Sequence, residues 1–144
     1  METRSYLDFT YICVSIYIFE IMLKHILLIG LGGFIGSVLR YFVSKLNNYW
    51  EVLSIPIGTL AVNVIGSFLI GLVSAYALKT GNLSEEMKLF IITGLMGGFT
   101  TFSAFSNENV LMMQNGQFAA VALYIGLSVL LGFAAAFLGY VLIR

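Results

Sequence analysis

Reactive and charged side chains are scarce in this chain of 144 residues. It contains one cysteine (Cys13), one histidine (His25) and one aspartate (Asp8), which are too few for a thiolate zinc site, a disulfide framework or a Ser/His/Asp triad. Lys and Arg number 7, as do Asp and Glu, and no basic run could neutralise a row of phosphates. The composition argues against an enzyme and against a nucleic-acid partner.

Apolar residues are abundant instead. They make up 60% of the chain, and only 10% is charged, whereas soluble domains carry about 25% charged residues. A bilayer core needs about 20 apolar residues per helix. The sequence predicts an all-α membrane protein with four transmembrane helices, at about 24–46, 56–78, 85–113 and 117–143.

The first 21 residues are harder to assign. Their apolar run at 9–19 is too short to span a bilayer and lacks the pattern of a secretory signal. Met22 resembles a natural chain start. We expect residues 1–21 to be an upstream-start artefact or an interfacial segment, and residues 22–144 to form a single transmembrane domain.

The loop charges specify orientation only weakly. Counted from Met22, one side carries four basic residues and the other carries two, which are Lys24, Lys79, Lys88 and Arg144 against Arg40 and Lys45. Because the Lys/Arg bias of short loops sets topology, a chain this nearly balanced can insert both ways. This pattern is compatible with an antiparallel, dual-topology dimer that has a two-fold axis in the membrane plane.

Polar side chains inside the spans recur at helical spacing. Thr59, Asn63 and Ser67 share one face of the second helix, and Tyr124 and Ser128 share one face of the fourth. Ser and Thr in membrane helices often serve only as hydrogen bonds between helices. Asn63 has a carboxamide to satisfy at mid-span, which favours a pore-lining position.

The segment 94–106 (GLMGGFTTFSAFS) combines helix-weakening glycines with threonines that compete for backbone hydrogen bonds. One interpretation is a third helix broken at mid-membrane, with carbonyls free to hold a cation and amides free to attract an anion. The alternative is a continuous helix in which Gly94 and Gly98 form a packing motif, the role we also assign to Gly32 and Gly36.

Phe102 and Phe105 lie three residues apart beside polar residues. Two phenylalanines at this spacing usually contact the core or lipid. Alternatively, their ring edges, which are partially positive, face an anion. Such a weak attractor suits conduction, because the ion must also be released.

Three stretches carry a family resemblance: GGFIGSVLRY (32–41), IGTLAVNVIGSFLIG (57–71) and GLMGGFTTFSAFSNE (94–108). They resemble the signature stretches of the Fluc/CrcB family of fluoride channels, and with the four spans the resemblance covers 22–144. It implies small antiparallel dimers with a broken third helix, two fluoride pathways and a structural Na⁺ at the dimer centre.

The resemblance also implies roles for individual residues. It assigns Phe102 and Phe105 to a phenylalanine box that lines each fluoride pathway, and it makes Asn63 a polar contact near this box. The remaining implied positions lie in the fluoride pathway (Thr59, Ser103, Tyr124, Ser128), at a pore mouth or helix end (Arg40, Glu108), and at the Na⁺ through backbone carbonyls (Gly97, Thr100). Ala104 departs from the common pattern, which has Thr there, so no hydroxyl role is expected at that position.

The resulting functional hypothesis is a fluoride-selective channel of the inner (plasma) membrane that passively exports cytoplasmic fluoride. It is expected to be a homodimer, or a heterodimer with a paralogous subunit. One alternative is a small-multidrug-type proton antiporter, which needs an acid within a span; Glu108 is the residue that keeps this open. The other is a membrane scaffold without transport activity.

Overall fold

The computed structural model describes residues 2–48, 51, 52 and 54–144, and helices dominate it. The helices are α1 (Glu2–Ser44), α2 (Ile57–Thr80), α3 (Glu85–Lys88), a π-helical segment (Leu89–Met96), α4 (Gly97–Phe99), α5 (Phe102–Gln114) and α6 (Phe118–Ile143). A 3₁₀ turn (Lys45–Asn48) and an antiparallel pair of two-residue strands, β1 (Glu51–Val52) and β2 (Ile55–Pro56), connect α1 to α2. Of the predicted connection 45–54, Tyr49, Trp50 and Leu53 lie outside the described residues.

Within the described residues, four helical stretches are long and apolar enough to cross a membrane: Val14–Ser44, Ile57–Thr80, Glu85–Gln114 and Phe118–Ile143. This confirms the prediction of a multi-pass, all-α membrane protein. The boundaries follow local chemistry. Ser84 caps the third span by accepting a hydrogen bond from the amide of Met87, and Gly81 ends α2 with a φ of 63°, which glycine adopts without steric cost.

Helix α1 is longer than the sequence predicts. It contains 43 residues and begins at Glu2, not near Lys24. Neither glycine nor proline occurs before Gly30, so nothing in residues 2–23 interrupts helical hydrogen bonding. That the functional domain begins at Met22 stays a prediction.

Glycines bring α1 against the third span. We call Gly32, Gly36, Gly94 and Gly98 the glycine seam. A Cβ on Gly94 would lie 2.8 Å from the carbonyl oxygen of Ile29, and one on Gly36 would overlap the carbonyl oxygen of Leu95. The seam therefore lets two backbones meet directly, as predicted for Gly32 and Gly36 and as the alternative interpretation proposed for Gly94 and Gly98.

The third span nevertheless loses its helical conformation immediately after the seam. Thr100 (φ −78°, ψ 159°) and Thr101 (φ −152°, ψ 121°) are extended, while Gly97 and Gly98 remain helical in α4. The two interpretations of the segment thus apply to neighbouring parts of it. The glycines pack, and the two threonines form an interruption between α4 and α5.

Candidate functional site

Asn63 of α2 holds the interruption in place. Its Nδ2 donates to the carbonyl oxygen of Thr101 at 3.0 Å, and its Oδ1 accepts from the amide of Thr101 at 2.8 Å. One carboxamide therefore satisfies the amide of this extended residue, which has no helical partner, and adds a bond at its carbonyl. Thr101 itself caps α5, because its Oγ1 accepts from the amide of Ala104 at 3.2 Å.

Arg40 reaches the same interruption from α1. Its Nη1 donates to the carbonyl oxygen of Thr100 at 3.4 Å. Beside it lies a cleft of about 580 Å³, lined by Ser37, Arg40, Tyr41, Ser44, Thr101, Ser103 and Ala104. Ser103 lies 3.3 Å from Thr101, measured between their hydroxyl oxygens. A cation and several hydroxyls thus share one cleft, an arrangement that attracts small anions.

Three aromatic rings from α5 and α6 lie in a row. The centroids of Phe102 and Phe105 are 5.7 Å apart, and those of Phe105 and Tyr124 are 5.0 Å apart. The Phe102 side chain is 79% exposed, whereas Tyr124 is fully buried. The row therefore runs from the outside of this single chain into its apolar core, which consists of Ile55, Met112, Val121 and Tyr124.

A polar cluster lies at the buried end of that row. Glu108 accepts one hydrogen bond on each carboxylate oxygen, from Thr59 Oγ1 at 2.6 Å and from the Tyr124 hydroxyl at 2.8 Å. Thr59 in turn accepts from Nδ2 of Asn47 at 3.3 Å. Three of the predicted pathway or mouth residues, from three helices, therefore meet here.

Asn47 belongs to this cluster although no sequence pattern selects it. It lies in the 3₁₀ turn after α1, and its Oδ1 accepts from the amide of Gly58 at the start of α2. Asn109, buried on α5, was also missed; its Nδ2 donates to the carbonyl oxygen of Phe105 at 2.8 Å. A polar residue in a turn or beside a known cluster carries no periodic signal that would identify it.

Ser128 lies apart from the polar cluster. It lines a cleft of about 290 Å³ between α2 and α6, together with Ser67 and Gly132. Its Oγ is buried and has no hydrogen-bond partner among the described residues. Ser67 also lines a second cleft of about 250 Å³ beside Asn63 and Phe102, so one serine borders both spaces.

The carbonyls of Gly97 and Thr100 are the oxygens that the resemblance assigns to Na⁺. In a continuous helix they would accept from the amides of Thr101 and Ala104, but these amides donate to Asn63 and to the Thr101 hydroxyl instead. The Gly97 carbonyl is thereby freed and fits a hard cation, whereas the Thr100 carbonyl accepts from Arg40, whose positive charge opposes a cation at the same oxygen. Among the described residues no three His, Cys, Asp or Glu side chains form a metal-binding group.

Comparison with known proteins gives a consistent picture. The family described as CrcB-like protein, Camphor Resistance (CrcB), matches residues 27–140. A protein of Campylobacter jejuni subsp. jejuni serotype O:6, named fluoride-specific ion channel FluC, is 49% identical over 123 residues, covering 85% of this chain and 100% of the relative. Proteins of the same name from Azobacteroides pseudotrichonymphae (46% identical; 84% of this chain and 97% of the relative) and Flavobacterium psychrophilum (44%; 85% and 98%) are also similar.

Proposed function

The chain belongs to the CrcB-like family, and from that premise we propose that it forms a fluoride-selective ion channel, not an enzyme. In the inner (plasma) membrane it would let cytoplasmic fluoride leave passively, down the membrane potential. The observation that carries this proposal is the near full-length similarity, 44–49%, to proteins named fluoride-specific ion channels. The polar and aromatic site of the chain supports it independently.

The proposed pathway follows the row of rings. Fluoride is small and strongly hydrated, so a pore must replace the lost water with hydrogen-bond donors and other positive groups. Asn63 offers its second Nδ2 hydrogen, Ser103 and Ser128 offer hydroxyls, and the edges of Phe102 and Phe105 offer weakly positive hydrogens. The Arg40 cleft would be one mouth, where its charge concentrates anions.

We further propose that two copies assemble as an antiparallel, dual-topology homodimer with the interruption at mid-membrane. The exposure of Phe102, beside polar groups on the same chain, supports a partner at this face. The near balance of basic residues between the two sides supports insertion in both orientations. A heterodimer with a paralogous subunit is the other arrangement compatible with a small difference in basic residues between the two sides.

A structural Na⁺ is the remaining part of the proposal. The carbonyls of Gly97 and Thr100 would hold it, and it would supply charge compensation where four backbone oxygens meet in a dimer. Asn63 contributes indirectly, because its bond to the Thr101 amide keeps that amide away from the Gly97 carbonyl.

Fluoride release from liposomes tests the function. Purified protein is reconstituted under a K⁺ gradient, valinomycin is added, and fluoride and chloride are each followed with an ion-selective electrode. We expect rapid fluoride release with negligible chloride release. Release of both anions at the rate of empty liposomes would refute the channel.

The same vesicles distinguish the proton antiporter. An internal pH dye reports whether a proton gradient collapses when cationic drug is added. The antiporter requires this collapse, and it requires that Glu108→Gln abolish it. A channel leaves the gradient intact and still releases fluoride.

A further inference from the structure

The hydrogen bonds of the polar cluster have a donor-to-acceptor direction that can be assigned at each atom, starting at Asn47. The amide of Gly58 can only donate, so the atom of Asn47 that faces it is the oxygen. The other end of the carboxamide is therefore the nitrogen, and it donates to Thr59 Oγ1.

This assignment determines the direction in which the Thr59 hydroxyl donates. The oxygen of Thr59 accepts from Asn47, so its single hydrogen is directed to Oε1 of Glu108 at 2.6 Å. The other carboxylate oxygen then accepts from Tyr124. The hydrogen-bond polarity runs from the amide of Gly58 through Asn47 and Thr59 to Glu108, and we call this chain of hydrogen bonds the relay. It joins the 3₁₀ turn, α2 and α5, and Tyr124 of α6 donates to its end.

The relay lies in a closely packed region. Thr59 is 1% exposed and Tyr124 is fully buried, and Gly58 is so close to the end of α1 that a Cβ there would lie 2.8 Å from the carbonyl oxygen of Val43. Hydroxyls in such a place cannot turn to water when a partner is lost. Their orientation depends on the neighbours that remain.

We propose that Asn47 is a positioning residue for the fluoride pathway. It acts through Thr59 by setting which way the Thr59 hydroxyl points, and thereby where the Glu108 carboxylate is held against the hydroxyl of Tyr124, whose ring packs on Phe105. This inference rests on the proposed function, because it assigns the relay to the same pathway. It goes beyond that function by giving a turn outside the membrane-spanning helices control over the pathway.

Two substitutions separate the steps of the relay. Asn47→Leu removes both hydrogen bonds at similar volume, and we expect fluoride flux to fall about fivefold, the equivalent of one ordinary hydrogen bond. Asn47→Asp keeps the acceptor for Gly58 but replaces the donor with a second acceptor, which draws the Thr59 hydrogen away from Glu108. Flux should fall at least as far. Asn82→Leu, in the exposed loop between α2 and α3, is the control and should match the wild type.

The decisive experiment is a double-mutant cycle with Thr59→Val, which lacks the hydroxyl. Thr59→Val alone should lower flux about fivefold, and adding Asn47→Leu or Asn47→Asp should lower it no further. Additive losses would overturn the inference, because Asn47 would then act by another route. Complete loss of flux in Thr59→Val alone would also overturn it, since Thr59 would then contribute more than the relay.

The outcomes separate the inference from the proposed function. If wild-type protein releases no fluoride, the proposed function fails. If the wild type conducts and Asn47→Asp stays within twofold of it, the relay fails alone. Should Asn47→Leu give no monodisperse protein, Asn47→Asp carries the test, because it retains the bond to Gly58.

Discussion

In the third span, two glycines of the seam lie next to the interruption, yet opposite principles govern the two regions. In the seam, side chains are absent, and backbone meets backbone where Gly94 and Gly98 contact α1. At the interruption, the Thr101 amide and the Thr100 carbonyl lack helical partners, and side chains from other helices bind them instead. Asn63 pairs with Thr101, and Arg40 pairs with Thr100.

This difference shows that residues that weaken a helix do not by themselves decide where the helix ends. Glycine lowers helix stability by about 1 kcal/mol, but a close neighbour compensates in the seam, and Gly97 and Gly98 stay helical. The threonines are intrinsically better helix formers than glycine, and they are nevertheless extended. The position of the interruption thus follows from where partners for the backbone are available.

The largest expected effect comes from filling the seam. Gly36→Val places side-chain atoms against the carbonyl of Leu95 and the amide of Phe99, so α1 and the third span must separate. We expect a cost of about 3 kcal/mol or more and loss of monodisperse protein in size-exclusion chromatography. Gly30→Val on the same helix is the control, because no atom lies within 4 Å of a Cβ there. Equal elution of the two variants would contradict close backbone packing at the seam.

The second largest effect is expected at Asn63, which supports the interruption. Asn63→Leu removes two hydrogen bonds to Thr101, each worth about 1 kcal/mol, so unfolding by denaturant should need about 2 kcal/mol less and fluoride flux should fall. Asn109→Leu is the matched comparison, because Asn109 bonds only within its own helix and should cost less. If Asn109→Leu reduced flux more than Asn63→Leu, the interruption would not depend on α2.

The rings should respond more mildly and without loss of folding. Phe105→Ile removes the contact with Tyr124, and Phe102→Ile removes an exposed ring; aromatic pairs contribute about 0.5–1.5 kcal/mol. We expect fluoride flux in liposomes to fall by up to about tenfold in each, with elution volume unchanged. Phe137→Ile on the exposed face of α6 should leave flux unchanged. Wild-type flux in both box variants would refute their role.

The smallest effect is expected at the surface pair of Lys24 and Glu86, which are 2.6 Å apart and about half exposed. Exposed pairs contribute about 0.2–1 kcal/mol. Glu86→Gln should therefore change the free energy of unfolding by less than about 1 kcal/mol, with flux unaffected. A larger loss would mean that α1 is held to the third span by charge as well as by the seam.

Hydropathy and turn chemistry were sufficient to predict the four spans, because each requirement is local to its own segment. The predicted end of the second span at 78 is two residues short of the observed end of α2 at Thr80, and the predicted start of the third span at 85 matches the start of α3. The extent of α1 did not follow, since an apolar run too short to span a bilayer can still continue a helix.

The site was predictable only in part. Periodicity grouped Thr59 with Asn63 and Tyr124 with Ser128, and the family resemblance selected Glu108, but the observed contacts join residues far apart in the chain. Asn47 had no signal, because its partners become apparent only when α2 packs on the end of α1. Residue spacing along one helix cannot reveal which neighbouring helix supplies the missing partner.

The dependence of the interruption on Asn63 has a consequence for the order of folding. Asn63 lies 38 residues before Thr101, so the extended threonines gain their hydrogen bonds only after α2 and the third span have both inserted and met. Before that encounter, a continuous helix satisfies more backbone groups in hydrocarbon. We therefore expect the third span to insert as a continuous helix and to adopt the extended conformation at Thr100 and Thr101 only when α2 packs against it.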